Sequence, residues 1–204
     1  MAEQRITLHK WPDPDRLPAD YVCLDLETTG LDPFRGAEII EAAAVRVEGF
    51  AVKEEFSETV RPEGPVPPDV TRLTGISSET LRFSLPAGKV IPGFLAFVGD
   101  LPVIGHNVTF DLRFLSYYSR LVSGRDLPNP YLDTMQLSRR VFTKKKYGRL
   151  SHSLEALCGR LGVENRNANR ALGDVYATHG CYLALFEMIN EECFTEDMNE
   201  SPDT

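Results

Sequence analysis

Tyr21-Val-Cys-Leu-Asp-Leu26, continued by Glu27-Thr-Thr-Gly30, is the stretch on which the fold turns. Its first six residues are a short apolar run rich in strand formers, and Thr28, Thr29 and Gly30 supply a turn, so the segment reads as a central strand. Alternate side chains of a strand leave opposite faces. Asp25 and Glu27 therefore share one surface while Leu24 and Leu26 point to the other. Like charges this close repel, and burying them is costly unless a cation or a donor compensates. A divalent metal is one natural companion; two acids at the solvent end of a strand are the alternative. A calcium loop fails, because Asp25, Glu27, Thr29 and Gly30 match its first, third, fifth and sixth positions but the twelfth, which needs a bidentate Glu, is Gly36.

Outward from this strand, Glu38 to Val47 and Val52 to Val60 are two more extended segments, expected to form a hairpin joined at Glu48 and Gly49. Pro62 to Pro68 carries four prolines and reads as a connecting loop. Beyond it the pattern alternates: a helix over Lys89 to Val98, a strand over Pro102 to Gly105, a helix over Val108 to Leu121 and a strand over Tyr131 to Asp133. A helix over Ser151 to Leu161, with Ser151 as N-cap, and a last one over Arg170 to Ile189 complete the reading. Three strands followed by alternating helices and strands define an α/β domain with a mixed sheet. Residues 1–19, with Pro12, Pro14 and Pro18, read as an N-terminal arm and residues 191–204 as an acidic tail, leaving one domain over 20–190.

The 204 residues give room for one ordinary domain, and 42% hydrophobic with 25% charged residues disfavours disordered and coiled-coil classes. The most apolar stretch, Val90 to Ile104, is broken by Pro92, Asp100 and Pro102, so no membrane span is expected. The opening residues lack the charged-then-apolar order of a signal peptide, and Cys23, Cys158, Cys181 and Cys193 show no C-x-x-C spacing. They read as reduced, structural thiols of a cytoplasmic protein. The net charge of −8 is concentrated in seven acids from Glu187 onward. Against it stands a positive strip, Arg139, Arg140, Lys144, Lys145, Lys146 and Arg149, with no acid between, which is either a solvated loop or a phosphate-binding surface.

Two further acids fall at element junctions. Asp111 lies in Gly105-His-Asn-Val-Thr-Phe-Asp111, between a strand and the first turn of a helix, where open α/β sheets place ligands and where the helix dipole alone would also favour an acid. Asp174 falls early in the last helix, between Leu172 and Val175. The blocks Leu24-Asp-Leu-Glu-Thr-Thr-Gly-Leu-Asp-Pro33, Leu73-Thr-Gly-Ile76, Gly105 to Leu112 and Arg170-Ala-Leu-Gly-Asp-Val-Tyr-Ala-Thr178 together resemble the DEDD superfamily of 3'-to-5' exonucleases, over about residues 20–188. The likeness is to the proofreading exonucleases of bacterial DNA polymerase III.

That resemblance implies a ribonuclease-H-like five-stranded sheet, three antiparallel strands then two parallel ones, with helices on both faces. It implies Asp25, Glu27, Asp111 and Asp174 as ligands of two Mg2+ or Mn2+ ions, and release of nucleoside monophosphates from single-stranded or frayed DNA 3' ends, with RNA as an open alternative. It places Thr28, Thr29 and Leu31 beside the terminal nucleotide, and Leu73, Thr74, Gly75 and Phe110 against its base. Lys144, Lys145, Lys146, Arg149 and His152 become candidate phosphate contacts, His152 also a candidate cap, and a polymerase or replisome subunit a candidate partner. Asn107 reads as turn chemistry or as part of the site.

One position departs from the pattern. In the histidine subgroup the general base stands five residues before the last Asp, and here that residue is Asn169. An amide cannot take a proton near neutral pH. His179, five residues after Asp174, points away by helical rotation, His106 reads as a packed histidine, and Arg170 occupies the place where another subgroup carries Tyr. Either the histidine has been replaced by design or the natural chain is a weakened relative. A domain that binds nucleic acid or protein without cutting is the rival reading.

Overall fold

The computed structural model describes residues 6–13 and 16–199, with side chains described as far as Asn190. Its strands are β1 (His9–Lys10), β2 (Tyr21–Thr28), β3 (Ile39–Glu48), β4 (Ala51–Arg61), β5 (Leu85–Pro86), β6 (Val103–Gly105) and β7 (Pro130–Asp133). The helices are α1 (Pro68–Thr74), α2 (Ala87–Val98), α3 (Thr109–Ser123), α4 (Thr134–Val141), α5 (Lys144–Tyr147), α6 (Leu154–Leu161) and α7 (Ala171–Asn199). Among the described residues the sheet runs β1-β7-β6-β2-β3-β4-β5. β2, β3 and β4 pair antiparallel, and β6 and β7 extend the sheet in parallel from β2. The expected five strands are thus present, but the count is seven. β1 pairs parallel with β7 and β5 with β4, each through two residues, too short to carry a periodic signal.

Period-two alternation builds two cores. Tyr21, Cys23, Ala43, Val45 and Val47 face α4, α6 and α7, where they meet Leu137, Leu157, Val175, Cys181 and Tyr182. Val22, Leu24, Leu26, Ala42 and Ala44 face α2 and α3, against Phe94, Val98, Leu112 and Leu115. Cys23, Cys158 and Cys181 are buried free thiols inside the first core; the Cys193 side chain lies outside the described residues. No helix among the described residues is long and apolar enough to cross a membrane.

Several boundaries differ from expectation for local reasons. The β3–β4 turn is made by Gly49 and Phe50, at φ 56° and 65°, rather than Glu48 and Gly49. Such paired left-handed residues match the twist of a two-residue hairpin, and the Phe50 ring packs 4.5 Å from that of Phe186. Pro68 opens α1 instead of closing the loop, a position where its missing N–H costs nothing. Ser153, not Ser151, caps α6, accepting the Ala156 N–H at 3.3 Å. α7 continues beyond Ile189 to Asn199, so the backbone of the expected tail is helical that far; residues 200–204 lie outside the described ones. Asp133, the last residue of β7, caps α4, and Thr143 caps α5.

Candidate active site

β2 alternation fixes the starting point. Tyr21 and Cys23 pack toward α7, so Asp25 and Glu27 continue the same row past the end of that core. α7 begins at Ala171, which puts Asp174 in its first turn above them. Carboxylate oxygens of Asp25, Glu27 and Asp174 lie within 4.8 Å of one another. Asp111, only 3% exposed in the first turn of α3, accepts the N–H of Leu26, the residue between the two strand acids, at 3.1 Å. All four sequence-selected acids therefore meet at the carboxyl end of β2, three as a tight group and Asp111 against the backbone beside it.

A set of supporting residues was not visible in the sequence. Both oxygens of Asp174 are held from the loop before α7: Asn165 Nδ2 donates to Oδ1 at 2.8 Å and the Asn169 N–H to Oδ2 at 3.2 Å. That loop is clamped on the helix at Gly173, where a Cβ would collide with the Asn167 carbonyl oxygen. Glu41, register partner of Glu27 on β3 and 3% exposed, accepts Arg170 Nε at 3.1 and 3.2 Å and Nη2 at 2.5 Å, and caps α7 by accepting the Ala171 N–H at 2.9 Å. Arg170, unassigned beyond its place in the subgroup pattern, thus anchors the helix that carries Asp174. Asp133 accepts the N–H groups of Asn107 and Met135, each at 2.9 Å, and so fixes the β6–α3 junction to α4. An acid alternating out of a strand toward a later Arg was the only signal for Glu41, and strand pairing is needed to read it.

The acids perturb one another. Burial, then Asp111, Glu27 and Asp174, push the Asp25 carboxyl well above its ordinary range. Burial also raises Asp111 and Asp174, and burial followed by Asp174 and Glu41 raises Glu27 to about 8. An acid whose folded pKa is raised favours folding below its unfolded value, and loses that contribution as pH rises through the folded value. For Glu27 the window is about pH 4.5 to about 8. In EDTA, Glu27→Gln should therefore melt no higher than the parent chain at pH 4.5 and clearly higher at pH 8.5, with the gap growing between. A constant difference across that range would contradict the clustering.

The remaining predicted residues divide by what their side chains touch. The Thr28 hydroxyl donates to the Gly30 carbonyl at 2.7 Å and Thr29 Oγ1 accepts the Glu38 N–H at 2.9 Å, so both shape the loop that leaves Leu31 83% exposed. Leu73 is exposed, whereas Thr74 is buried with its hydroxyl spent on Val70 and Ile76, and Gly75 closes α1 at φ 73°. Phe110 is half-buried one residue before Asp111, with its ring 5.2 Å from that of Phe114. Lys144, Lys145, Lys146 and Arg149 are exposed on and after α5. His152 caps no helix: it is partly exposed, and its Nδ1 meets Ser138 Oγ at 2.8 Å.

No histidine takes the place of Asn169. Both nitrogens of His106 are engaged, Nδ1 with Thr134 Oγ1 at 2.9 Å and Nε2 with the His152 carbonyl at 3.0 Å, and burial lowers its pKa. His179, on α7 and part-buried, has its Nδ1 bonded to the Tyr21 hydroxyl at 2.8 Å. Asn169 itself is exposed at φ 63°, in the left-handed region that Asn, Asp and His enter most readily among residues with a side chain.

An α/β domain with three antiparallel and two parallel central strands, helices on both faces and a carboxylate cluster at the strand ends is a ribonuclease-H-like nuclease fold. The model of the exonuclease family matches residues 22–182, and the chain belongs to that family. It is 37% identical over 171 residues to the DNA polymerase III subunit epsilon of Aquifex aeolicus, covering 84% of this chain and 82% of that protein. It is 34% identical over 188 residues to the PolC-type DNA polymerase III of Thermotoga maritima, covering 91% of this chain but only 13% of the polymerase. Among solved structures, exonuclease X in complex with 5' overhanging duplex DNA superposes with a TM-score of 0.64 at 26% identity, over 85% of this chain and 93% of that one. E. coli exonuclease I in complex with a dT13 oligonucleotide shares the fold, with a TM-score of 0.70 at 21% identity over 88% and 43% of the two chains.

Proposed function

We propose that the chain removes nucleoside monophosphates from the 3' ends of single-stranded or frayed DNA by hydrolysing the last phosphodiester bond, at a rate held down by Asn169. The observation that carries this reading is the convergence of Asp25, Glu27, Asp111 and Asp174 with no cationic side chain among the described residues paired to them. Arg170, the base nearest Asp174 in sequence, is committed to Glu41, and Arg113, two residues from Asp111, is paired with Asp32. Four carboxyls raised by burial and by neighbouring acids suit hard divalent cations with oxygen ligands, two Mg2+ or Mn2+ in this reading. Such ions, when bound, supply Lewis-acid charge for the attacking water and the departing 3' oxygen. The protein's own part is positional: Asn165 and Asn169 orient Asp174, Leu26 N–H orients Asp111, and Leu31, Leu73 and Phe110 offer apolar surface to the terminal nucleotide. A cytoplasmic setting beside a replicative polymerase fits the named relatives.

The test is a 5'-labelled oligonucleotide incubated with Mn2+, with products resolved base by base. A ladder shortening from the 3' end with mononucleotide release supports the reading; no cleavage by this chain or by Asn169→His contradicts it. Should metal and DNA still bind in that second case, the domain is a binding module, a role that the engagement of His106 and His179 elsewhere already favours over full activity. The basic helix α5 gives an independent check. Replacing Lys144, Lys145 and Lys146 together with Gln should weaken oligonucleotide binding and flatten its dependence on salt, by about 0.7 in log–log slope for each phosphate no longer neutralised. An unchanged slope would return the strip to a solvated loop.

A further inference from the structure

α7 brings Asp174 to the strand acids, and its first turns rest on the sheet unevenly. Ala171 and Val175 are buried in the core with Cys23 and Ala43. On the β4 side the same turns overhang a hollow of about 700 Å³, lined by Ser57, Leu172, Gly173 and Tyr176. The hollow follows from the register. Ser57 and Glu55 share a face with Ala43 and Val45, yet both are exposed, because α7 lies over β2 and β3. Apolar packing therefore leaves this side of the helix unsupported, and two polar ties cross it. Glu41, buried on β3, holds the Arg170 guanidinium through Nε and Nη2 and accepts the N–H of Ala171, the first residue of α7. Farther along, the Tyr176 hydroxyl donates to Glu55 at 2.8 Å at an exposed site.

We propose that Glu41 and Arg170 are positioning residues of the reaction, a pair that sets the affinity of the carboxylate cluster for divalent metal by fixing Asp174 against Glu27. The proposal deepens the exonuclease reading and rests on it. Glu41 stands opposite Glu27 in the β2–β3 register, so its carboxylate shares the face of the strand acids. It is not one of the three that approach within 4.8 Å of one another, which are Asp25, Glu27 and Asp174; its oxygens are taken by Arg170 and Ala171. Arg170 lies one turn before Asp174, whose N–H donates to the Arg170 carbonyl at 3.1 Å. It also follows directly on Asn169, whose N–H holds Asp174 Oδ2. A shift of the guanidinium thus moves both the helix turn and the loop amide that aim Asp174. Neither Glu41 nor Arg170 has to touch metal or substrate for this. Removing a group that orients a ligand side chain through one intervening contact typically costs about 10- to 100-fold in metal affinity.

Mn2+ titrations followed by electron paramagnetic resonance of the free ion test this without turnover. The parent chain should bind Mn2+, and Glu41→Gln should bind it about tenfold more weakly. Arg170→Gln should lose a similar factor, and the double variant Glu41→Gln/Arg170→Gln no more than the worse single one, because the two side chains act as a unit. The double variant leaves no unpaired buried carboxylate, so it carries the test if Arg170→Gln does not fold. Tyr176→Phe, which cuts the other tie over the same hollow, should bind Mn2+ like the parent whatever it does to the melting temperature. Glu41→Gln and the double variant both binding Mn2+ like the parent overturn the positioning role while leaving the exonuclease reading intact. So do losses that multiply in the double variant, or Tyr176→Phe weakening the metal as much as Glu41→Gln. A parent chain that binds no Mn2+ overturns both.

Discussion

Asn169→His is expected to release mononucleotides about 10²- to 10⁴-fold faster than the parent chain. The backbone is already shaped for the change. Asn169 stands at φ 63°, a conformation histidine also enters, and its N–H is tied to Asp174 Oδ2 by a hydrogen bond that does not depend on the side chain. Its side chain is exposed at the mouth of the cleft, so an imidazole there has room and a partly solvated pKa suited to accepting a proton from water. The gain should appear in the maximal rate, with oligonucleotide affinity little altered, because the residue acts on the reacting water rather than on the strand. A pH–rate profile of the variant should gain a limb near the histidine pKa that the parent lacks. Equal rates in the two proteins would show that position 169 is not where a base is needed.

Asp25→Asn is expected to cost about 10³-fold or more in the same assay, while raising the melting temperature of the metal-free chain at pH 8. Asp25 lies at the centre of the cluster, raised by burial and then by Asp111, Glu27 and Asp174. Replacing it with a neutral isostere removes repulsion that the fold otherwise carries, so loss of activity and gain of stability should come from one substitution. That pairing is diagnostic, because a merely structural acid would lose both together. Calorimetry in EDTA and the oligonucleotide assay in Mn2+ give the two readouts.

What the sequence revealed and what it hid follow from how far apart the partners are. Alternation within Tyr21 to Leu26 was enough to put Asp25 and Glu27 on one face, and the junction motif and last helix supplied Asp111 and Asp174, all four of which the fold gathers. Glu41 was hidden because its role needs the β2–β3 register, which sets it across from Glu27, together with an arginine 129 residues later. Asn165 was hidden because nothing local marks a loop amide that folds back on a helix; only the tight seat at Gly173 explains it. The edge strands β1 and β5 have two residues each, below any period. The α7 end was misplaced because apolar spacing fades after Ile189 while the helix backbone runs on to Asn199. His152 shows the reverse error: a polar residue before a helix suggested a cap, but packing of α4 turned it to Ser138 and gave the cap to Ser153.

Cleavage by this domain depends on those four carboxylates holding divalent ions together. Anomalous diffraction from crystals grown with Mn2+ and thymidine 5'-monophosphate measures this directly. The predicted result is two peaks about 3.5 to 4 Å apart, bounded by Asp25, Glu27, Asp111 and Asp174, with the nucleotide phosphate against them. Manganese bound only elsewhere on the surface, with that cleft empty at saturating metal, would contradict it.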